Sequence, residues 1–394
     1  MTAFAAVMTG KGTGAISTIQ VFGDTAEAVI KKVFIPARTK PTTLQPGKIL
    51  LGTISDGGET IDQVTIGCEG SDTFAVNCHG NPLIVEMIMQ LLRRQGVTLL
   101  TAERLLTKIL AAQKHINTIE LEAKLTQPIA RTLEGTKLIA NQIDAGLGKK
   151  AAEWLENINA ISIDQIKNDA GRILINSRTA KLIIKGYKTV IAGPPNTGKS
   201  TLLNCLAGRR KAIVTDIKGT TRDWVSAQCK IGPLSVEFID TAGLDEEFAA
   251  APERVVEKAS QQKSVEILES SGLVLLVLDN SQTVQKLDDR LLDKITEKKL
   301  LTVLNKSDLP AKLDTGKLPR ILSNTVQISA KFETGIENLM QKITQLAGVA
   351  DFDLHTAVCF TARQESLLKQ LKNAESKQKA ALIITELLNG QLPV

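Results

Sequence analysis

The five cysteines, Cys68, Cys78, Cys205, Cys229 and Cys359, are an odd number with no C-x-x-C pair among them, which argues against a disulfide framework and against a zinc site. No apolar run is long enough to cross a bilayer. The first residues also lack the basic-then-apolar pattern that marks export, so a cytoplasmic location with no membrane partner is expected. No internal repeat or low-complexity tract breaks the 394 residues, a length that accommodates two or three domains. A dominant charge is missing too: the formal net charge is +6. Lys+Arg and Asp+Glu number 11 and 10 over residues 1–120, 21 and 20 over 189–350, and 5 and 5 beyond. The excess lies mainly in residues 121–188, at 11 and 7, which fits either an anionic partner such as RNA or a solvated helix face.

What is present is organised around Gly193-Pro-Pro-Asn196-Thr197-Gly198-Lys199-Ser200. It follows the apolar run 188–192 and opens into Thr201-Leu-Leu-Asn-Cys-Leu. Strand, glycine-rich turn and helix in that order bring backbone N–H groups and a helix N-terminus together on a phosphate. The glycines let the backbone wrap closely, Lys199 can reach the outer two phosphates, and Ser200 is the candidate Mg²⁺ ligand. A chance glycine-rich turn would match this pattern alone, but three further stretches accompany it. Asp240-Thr241-Ala242-Gly243 ends the run 234–239, placing a carboxylate at a strand edge beside the Mg²⁺ water shell. Asn305-Lys306-Ser-Asp308 ends the run 300–304. Asp308 can accept two hydrogen bonds, and guanine, unlike adenine, offers a ring N–H and an amine on one edge. Ser329-Ala330-Lys331 follows Val326-Gln-Ile328 and is expected to supply a backbone contact to the base oxygen. GTP is the ligand this set implies.

Before this stretch, residues 1 to about 98 alternate short apolar runs, at 4–7, 15–22, 49–54, 64–66 and 74–76, with turn signals. Helices are expected near 25–34 and 82–95. From about Thr101 to Lys185 the periodicity becomes helical, broken at Pro128 and Gly146 to Gly148. Leu105, Ile109, Leu133, Ile139, Leu155, Ile166, Leu174 and Leu182 are its candidate core positions. The helical pattern returns after Thr361 at Leu367, Leu368, Leu371, Ile383 and Leu387. The expected fold class is an α+β N-terminal domain (1–100), an α-helical domain in two parts (101–186 and 350–394), and an α/β P-loop G domain (187–349) inserted between them.

With these motifs and Val214-Thr-Asp-Ile-Lys-Gly-Thr-Thr-Arg-Asp223, the chain resembles the bacterial tRNA modification GTPase family MnmE, also called TrmE. The resemblance implies a tetrahydrofolate-binding N-terminal domain that also forms a homodimer, a G domain inserted in a helical domain, and potassium-driven G-domain dimerisation and GTP hydrolysis. It further implies work with a flavoprotein, MnmG, on the wobble uridine of tRNA. By the same resemblance Asn196, Thr215, Ile217 and Thr220 would hold K⁺ where many GTPases use an arginine finger, although Asn196 alone also reads as a turn residue. Thr215, Asp216, Ile217, Lys218, Gly219, Thr220 and Thr221 would form the first switch, Thr221 closing on Mg²⁺ when the γ-phosphate is present. Asn196 to Thr201, Asp240 to Gly243, Asn305, Lys306, Asp308 and Ser329 to Lys331 complete the nucleotide site.

Leu244 stands where Ras-type GTPases carry a water-positioning glutamine. The family's catalytic glutamate maps nearest to Glu253, which reads equally as a first-turn carboxylate favoured by a helix dipole. The catalytic candidates are therefore Asn196, Asp240 and Glu253. Other positions depart from the family. Gln20 replaces a folate-site arginine, Ala75 or a neighbour replaces a glutamate before the His79-Gly80 turn, and the sequence ends at Gln391-Leu-Pro-Val394 without the Cys-Ile-Gly-Lys tail. His79 and Lys114 remain, each also explicable as a turn residue and a solvated helix residue. Without the two-point grip of a guanidinium, folate binding is not expected. A GTP-dependent switch that binds RNA or ribosomes is the alternative function.

Overall fold

The computed structural model describes residues 2–10, 12–37, 44–112, 117–208, 225–240, 270–283 and 298–390. They fall into two compact units, one ending at Leu121 and the other spanning Glu122–Gly390.

The first unit is built on one mixed sheet. Strands β1 (Ala3–Val7), β2 (Ile16–Gly23), β3 (Phe34–Pro36), β4 (Ile49–Asp56), β5 (Glu59–Cys68), β6 (Thr73–His79) and β7 (Thr98–Leu99) lie in the order β3-β4-β5-β6-β2-β1-β7. Among the described residues only the β1/β7 pair of this sheet is parallel. Period-two burial decides which side faces the core: Ser17, Ile19 and Val21 of β2 and Leu50 and Ile54 of β4 point inward. Helices α1 (Ala26–Val33) and α2 (Pro82–Arg94) cover them with Val29, Ile30, Ile88, Leu91 and Leu92. Asn81 caps α2, accepting from the Leu83 N–H at 3.0 Å, and Pro82 begins the helix where its missing N–H costs nothing. The helix expected to run through Phe34 stops at Val33. Phe34 starts β3, pairing with Ile54, and Pro36 forbids helical continuation. Helix α3 (Ala102–Ala112) follows β7, and α4 (Thr118–Thr126) precedes the second unit's main helices.

In the second unit the described helices outside its α/β region are α5 (Leu133–Asp144), α6 (Leu147–Glu156), α7 (Ile163–Lys185), α10 (Ala362–Lys372) and α11 (Lys377–Asn389). Thr132, Ser162, Thr361 and Ser376 cap four of them with side-chain oxygens. Helix α7 packs on α5 and α10, and α11 on α6 and α10, so residues before and after the α/β region share one bundle. Leu105, Ile139 and Ile166 are buried as expected, whereas Leu133 is 62% exposed. The buried stripe of α5 is Gly135, Leu138, Ile139 and Gln142, and Leu133, its first residue, falls off that phase.

The α/β region carries strands β8 (Tyr187–Ala192), β9 (Val225–Ile231), β10 (Leu234–Asp240), β11 (Leu273–Asp279), β12 (Leu300–Asn305) and β13 (Thr325–Gln327), with helices α8 (Lys199–Gly208) and α9 (Ile336–Ala347). The strand order is β13-β12-β11-β8-β10-β9, all parallel except the β9/β10 pair. Every residue of β11 and β12 is buried, as parallel strands covered on both faces require. Chain entry from α7 turns at Gly186, whose φ of 87° suits glycine. In this topology the carboxyl ends of β8, β10, β11 and β12 open at one edge, where ligands of such sheets bind.

Candidate nucleotide site

The loop leaving β8 supplies the phosphate side. Gly193 has φ 143°, and a Cβ there would overlap the Val277 carbonyl of β11; Gly198 has φ 91°, and a Cβ there would overlap Asn305 Nδ2. Both positions therefore demand glycine, on steric as well as conformational grounds. Asn196 takes φ 61° and is exposed at the loop apex. Thr197 is buried and folds its Oγ1 onto the Pro194 carbonyl at 2.9 Å. Lys199, only 4% exposed, donates its Nζ to the carbonyls of Gly193 (2.7 Å) and Pro194 (3.0 Å). The ammonium is thus held inside the loop that has to receive the phosphates. Ser200 donates its Oγ to Asp240 Oδ2 at 2.8 Å, and Thr201 is exposed in the first turn of α8. A hydroxyl and a carboxylate in contact, both hard oxygen donors at a phosphate loop, form a set that fits Mg²⁺.

On the base side, Asn305 works as a bridge. Its Nδ2 donates to the Thr197 carbonyl at 2.9 Å and its Oδ1 accepts the Ala330 N–H at 3.0 Å. The phosphate loop and the Ser329-Ala330-Lys331 turn are therefore fastened to the same carboxamide. Of the Ser329-Ala330-Lys331 turn, expected to supply a backbone contact to the base oxygen, the Ala330 N–H is given to Asn305. Asp308 accepts from Ser329 Oγ at 2.5 Å and is otherwise exposed at the rim, and Lys331 lies over the Phe332 ring at 5.2 Å.

One member of this set was not singled out in the sequence. Asp279, at the end of β11, is 6% exposed and pairs its Oδ2 with Lys306 Nζ at 2.7 Å; the same ammonium donates to the Asn196 carbonyl at 2.7 Å. Ser281 adds two hydrogen bonds to Asp279 Oδ1, from N (2.9 Å) and Oγ (2.7 Å). Burial pushes the Asp279 carboxyl up, but the Lys306 and Ser281 hydrogen bonds outweigh it and hold it below the usual carboxylate range. The signal was available: an aspartate closing an apolar run, as Asp240 does.

Of the remaining expected residues, Thr215, Asp216, Ile217, Lys218, Gly219, Thr220, Thr221, Thr241, Ala242, Gly243, Glu253 and Lys114 lie outside the described residues. In the first unit, Gln20 and Ala75 are direct cross-strand partners, and Gln20 Nε2 donates to Glu69. Asp62, with its side chain 7% exposed, grips His79 twice, accepting its N–H at 2.8 Å and contacting Nδ1 at 2.7 Å. His79 is thereby a held turn residue whose ring remains 67% exposed.

Comparison with known proteins agrees with both regions. The family described as "GTP-binding protein TrmE N-terminus" matches residues 3–104, and "50S ribosome-binding GTPase" matches residues 188–306. The tRNA modification GTPase MnmE of Carboxydothermus hydrogenoformans is 31% identical over 380 residues, 87% of this chain and 81% of that protein. Its namesake in Clostridioides difficile is 28% identical over 94% of this chain and 87% of its own length; the Enterococcus faecalis protein is 29% identical over 98% and 88%.

Proposed function

The chain belongs to the tRNA modification GTPase MnmE family, and on that premise we propose that it is a Mg²⁺- and K⁺-dependent GTP hydrolase serving wobble-uridine modification of tRNA. GTP hydrolysis itself follows from the family. The observation that carries the reading is the Asn305 bridge, because a scaffold that merely retained the motifs would have no reason to lock the phosphate loop to the base-recognition turn through one buried side chain.

Phosphoryl transfer to water is mostly positioning and charge neutralisation. Lys199 would exchange its two carbonyl partners for phosphate oxygens, while the N–H groups at the start of α8 face the same anion. Asp308 would accept the guanine ring N–H and amine, and the Ala330 N–H would be shared between Asn305 and the base oxygen. Mg²⁺, held by Ser200 and Thr221 with Asp240 behind its waters, would neutralise charge on the outer phosphates. K⁺ would be held by Asn196, Thr215, Ile217 and Thr220; of these Asn196, an exposed amide at the loop apex, offers the oxygen chemistry the ion requires. Glu253 would orient the attacking water. We also assign the domain ranges set out above and a homodimer through the first unit. Ile35, Ile49 and Leu51, 55%, 75% and 53% exposed, lie on the outer side of β3 and β4 and support that contact. An MnmG-like flavoprotein is the expected partner. Among the described residues no helix is long and apolar enough to cross a membrane.

The test is turnover at equal ionic strength in K⁺ and Na⁺ together with competition by ATP. Faster hydrolysis in K⁺ and exclusion of ATP are expected; equal rates in the two salts would remove the potassium reading, and equal ATP binding would remove the whole. A second reading, a GTP-dependent RNA- or ribosome-binding switch, is favoured by one observation. Gln20, in place of a guanidinium, is turned onto Glu69 beside a small Ala75, a pair ill suited to gripping a folate carboxylate. Folate titration separates them: no binding alongside normal GTP turnover would favour the switch.

A further inference from the structure

The charge excess of residues 121–188 finds a place in the second unit. Between α7 and α10 a groove of about 290 Å³ is lined by Arg178, Lys181, Lys369 and Lys372 against a single carboxylate, Glu365. Glu365 is already shared: it pairs with Lys181 and, at 2.8 Å, with Lys369. Arg178 and Lys372 are exposed and enter no ion pair among the described residues. Four cations and one anion leave the groove at +3.

We propose that this groove binds the phosphodiester backbone of RNA. The inference rests on the tRNA reading above and names the surface that would meet the substrate. Lys372 lies across α7 beside Gly171, its Cε 3.8 Å from where a Cβ would stand, and its ammonium lines the groove. Ile175, 64% exposed in the lining, offers an apolar contact for a ribose among the charges. The cations of α7 and the glycine opposite Lys372 span residues 171 to 181, about 15 Å along the helix axis, which suits a chain of phosphates better than one free phosphate. Uncompensated cations facing a polyanion supply sequence-independent affinity through counterion release, which fits positioning of a tRNA rather than reading of its bases.

The experiment measures full-chain binding to unmodified tRNA by fluorescence anisotropy across a salt series, for the wild type, Arg178→Ala/Lys372→Ala and the charge-keeping Arg178→Lys/Lys372→Arg. GTP turnover serves as the folding control, since neither residue belongs to the nucleotide site. The double alanine variant should bind about tenfold or more weakly, with the log–log salt slope shallower by about two, while the charge-keeping variant stays close to wild type. Wild-type binding that the double alanine variant reproduces in affinity and slope would overturn the groove and leave the tRNA reading standing, even if that variant lost an acidic protein partner. A wild type that hydrolyses GTP but binds no tRNA would overturn the tRNA reading and the groove with it.

Discussion

Asp279 holds Lys306 by its ammonium at 2.7 Å, and through it reaches Asn196, whose carbonyl accepts from the same nitrogen at 2.7 Å. Lys306 and Asn196 both sit at positive φ, 62° and 61°, where a residue other than glycine stays only if its surroundings hold it. Asp279→Ala would leave a partly buried ammonium without its carboxylate and release the loop apex. A hydrogen bond to a charged group contributes about 1.5–3 kcal/mol, so GTP affinity should fall about ten- to a hundredfold. Titration with a fluorescent guanine nucleotide reads this directly, and an unchanged dissociation constant would show Lys306 to be positioned without Asp279.

Base choice should be transferable by one atom. Asp308 presents only acceptors, and guanine presents two donors; Asp308→Asn places a donor against a donor. Xanthine, with a carbonyl where guanine has its amine, restores the match. Nucleotide competition should show GTP weakened at least about a hundredfold and XTP gaining, because a site built around hydrogen bonds strongly rejects a ligand that leaves them unpaired. A variant with wild-type GTP affinity would place guanine recognition elsewhere.

The strands leading to the nucleotide site were legible because each ends in a turn whose chemistry is local: Gly193 and Gly198 at positions only glycine can occupy, and Asp240, Asn305 and Asp308 at the ends of buried runs. What escaped were long-range partners. Gln142 reads as a polar residue on a helix, yet it is fully buried, donating to the carbonyls of Leu138 (3.0 Å) and Thr356 (3.1 Å) and accepting from Leu147 (3.0 Å) and Val358 (2.9 Å). It also explains Gly146, read only as a helix breaker: a Cβ there would overlap the Gln142 amide. Helical periodicity says which face is apolar but cannot say that a polar residue will find its partners more than two hundred positions away. Leu133 fails for the opposite reason, an apolar residue placed at the entry of α5 outside its buried stripe.

Glu122 is the strongest of these unseen partners. Its side chain, 4% exposed, accepts from Thr361 Oγ1 (2.7 Å), Arg363 Nε and Nη2 (2.9 Å each) and Gln364 Nε2 (2.6 Å), while Arg363 also donates to the Glu386 and Leu387 carbonyls of α11. The chain before the α/β region is thus fastened to the chain after it. Glu122→Ala strands a guanidinium that is itself 14% exposed, and removing one partner of a buried pair costs about 3–5 kcal/mol. Urea unfolding followed by far-ultraviolet circular dichroism should show the helical part melting earlier by that amount, with Glu122→Gln intermediate. A loss under about 1 kcal/mol would mean that the bundle closes through its apolar contacts alone.

Glu365 makes the same bundle acid-sensitive. Hydrogen bonds from Lys181 and Lys369 hold its carboxyl well below the ordinary 4.5, at about 2. A carboxylate whose value is lower when folded than unfolded binds fewer protons in the native state, so its contribution is complete above pH 4.5 and is lost as pH falls from 4.5 toward about 2. Glu365→Gln cannot titrate and keeps neither ion pair. It should therefore melt lower than wild type at neutral pH, and the gap between the two melting temperatures should close as the solution is acidified through that window. Melting curves at matched ionic strength would decide the matter: a gap that persists unchanged through the window would assign the difference to packing around the side chain instead of to its charge.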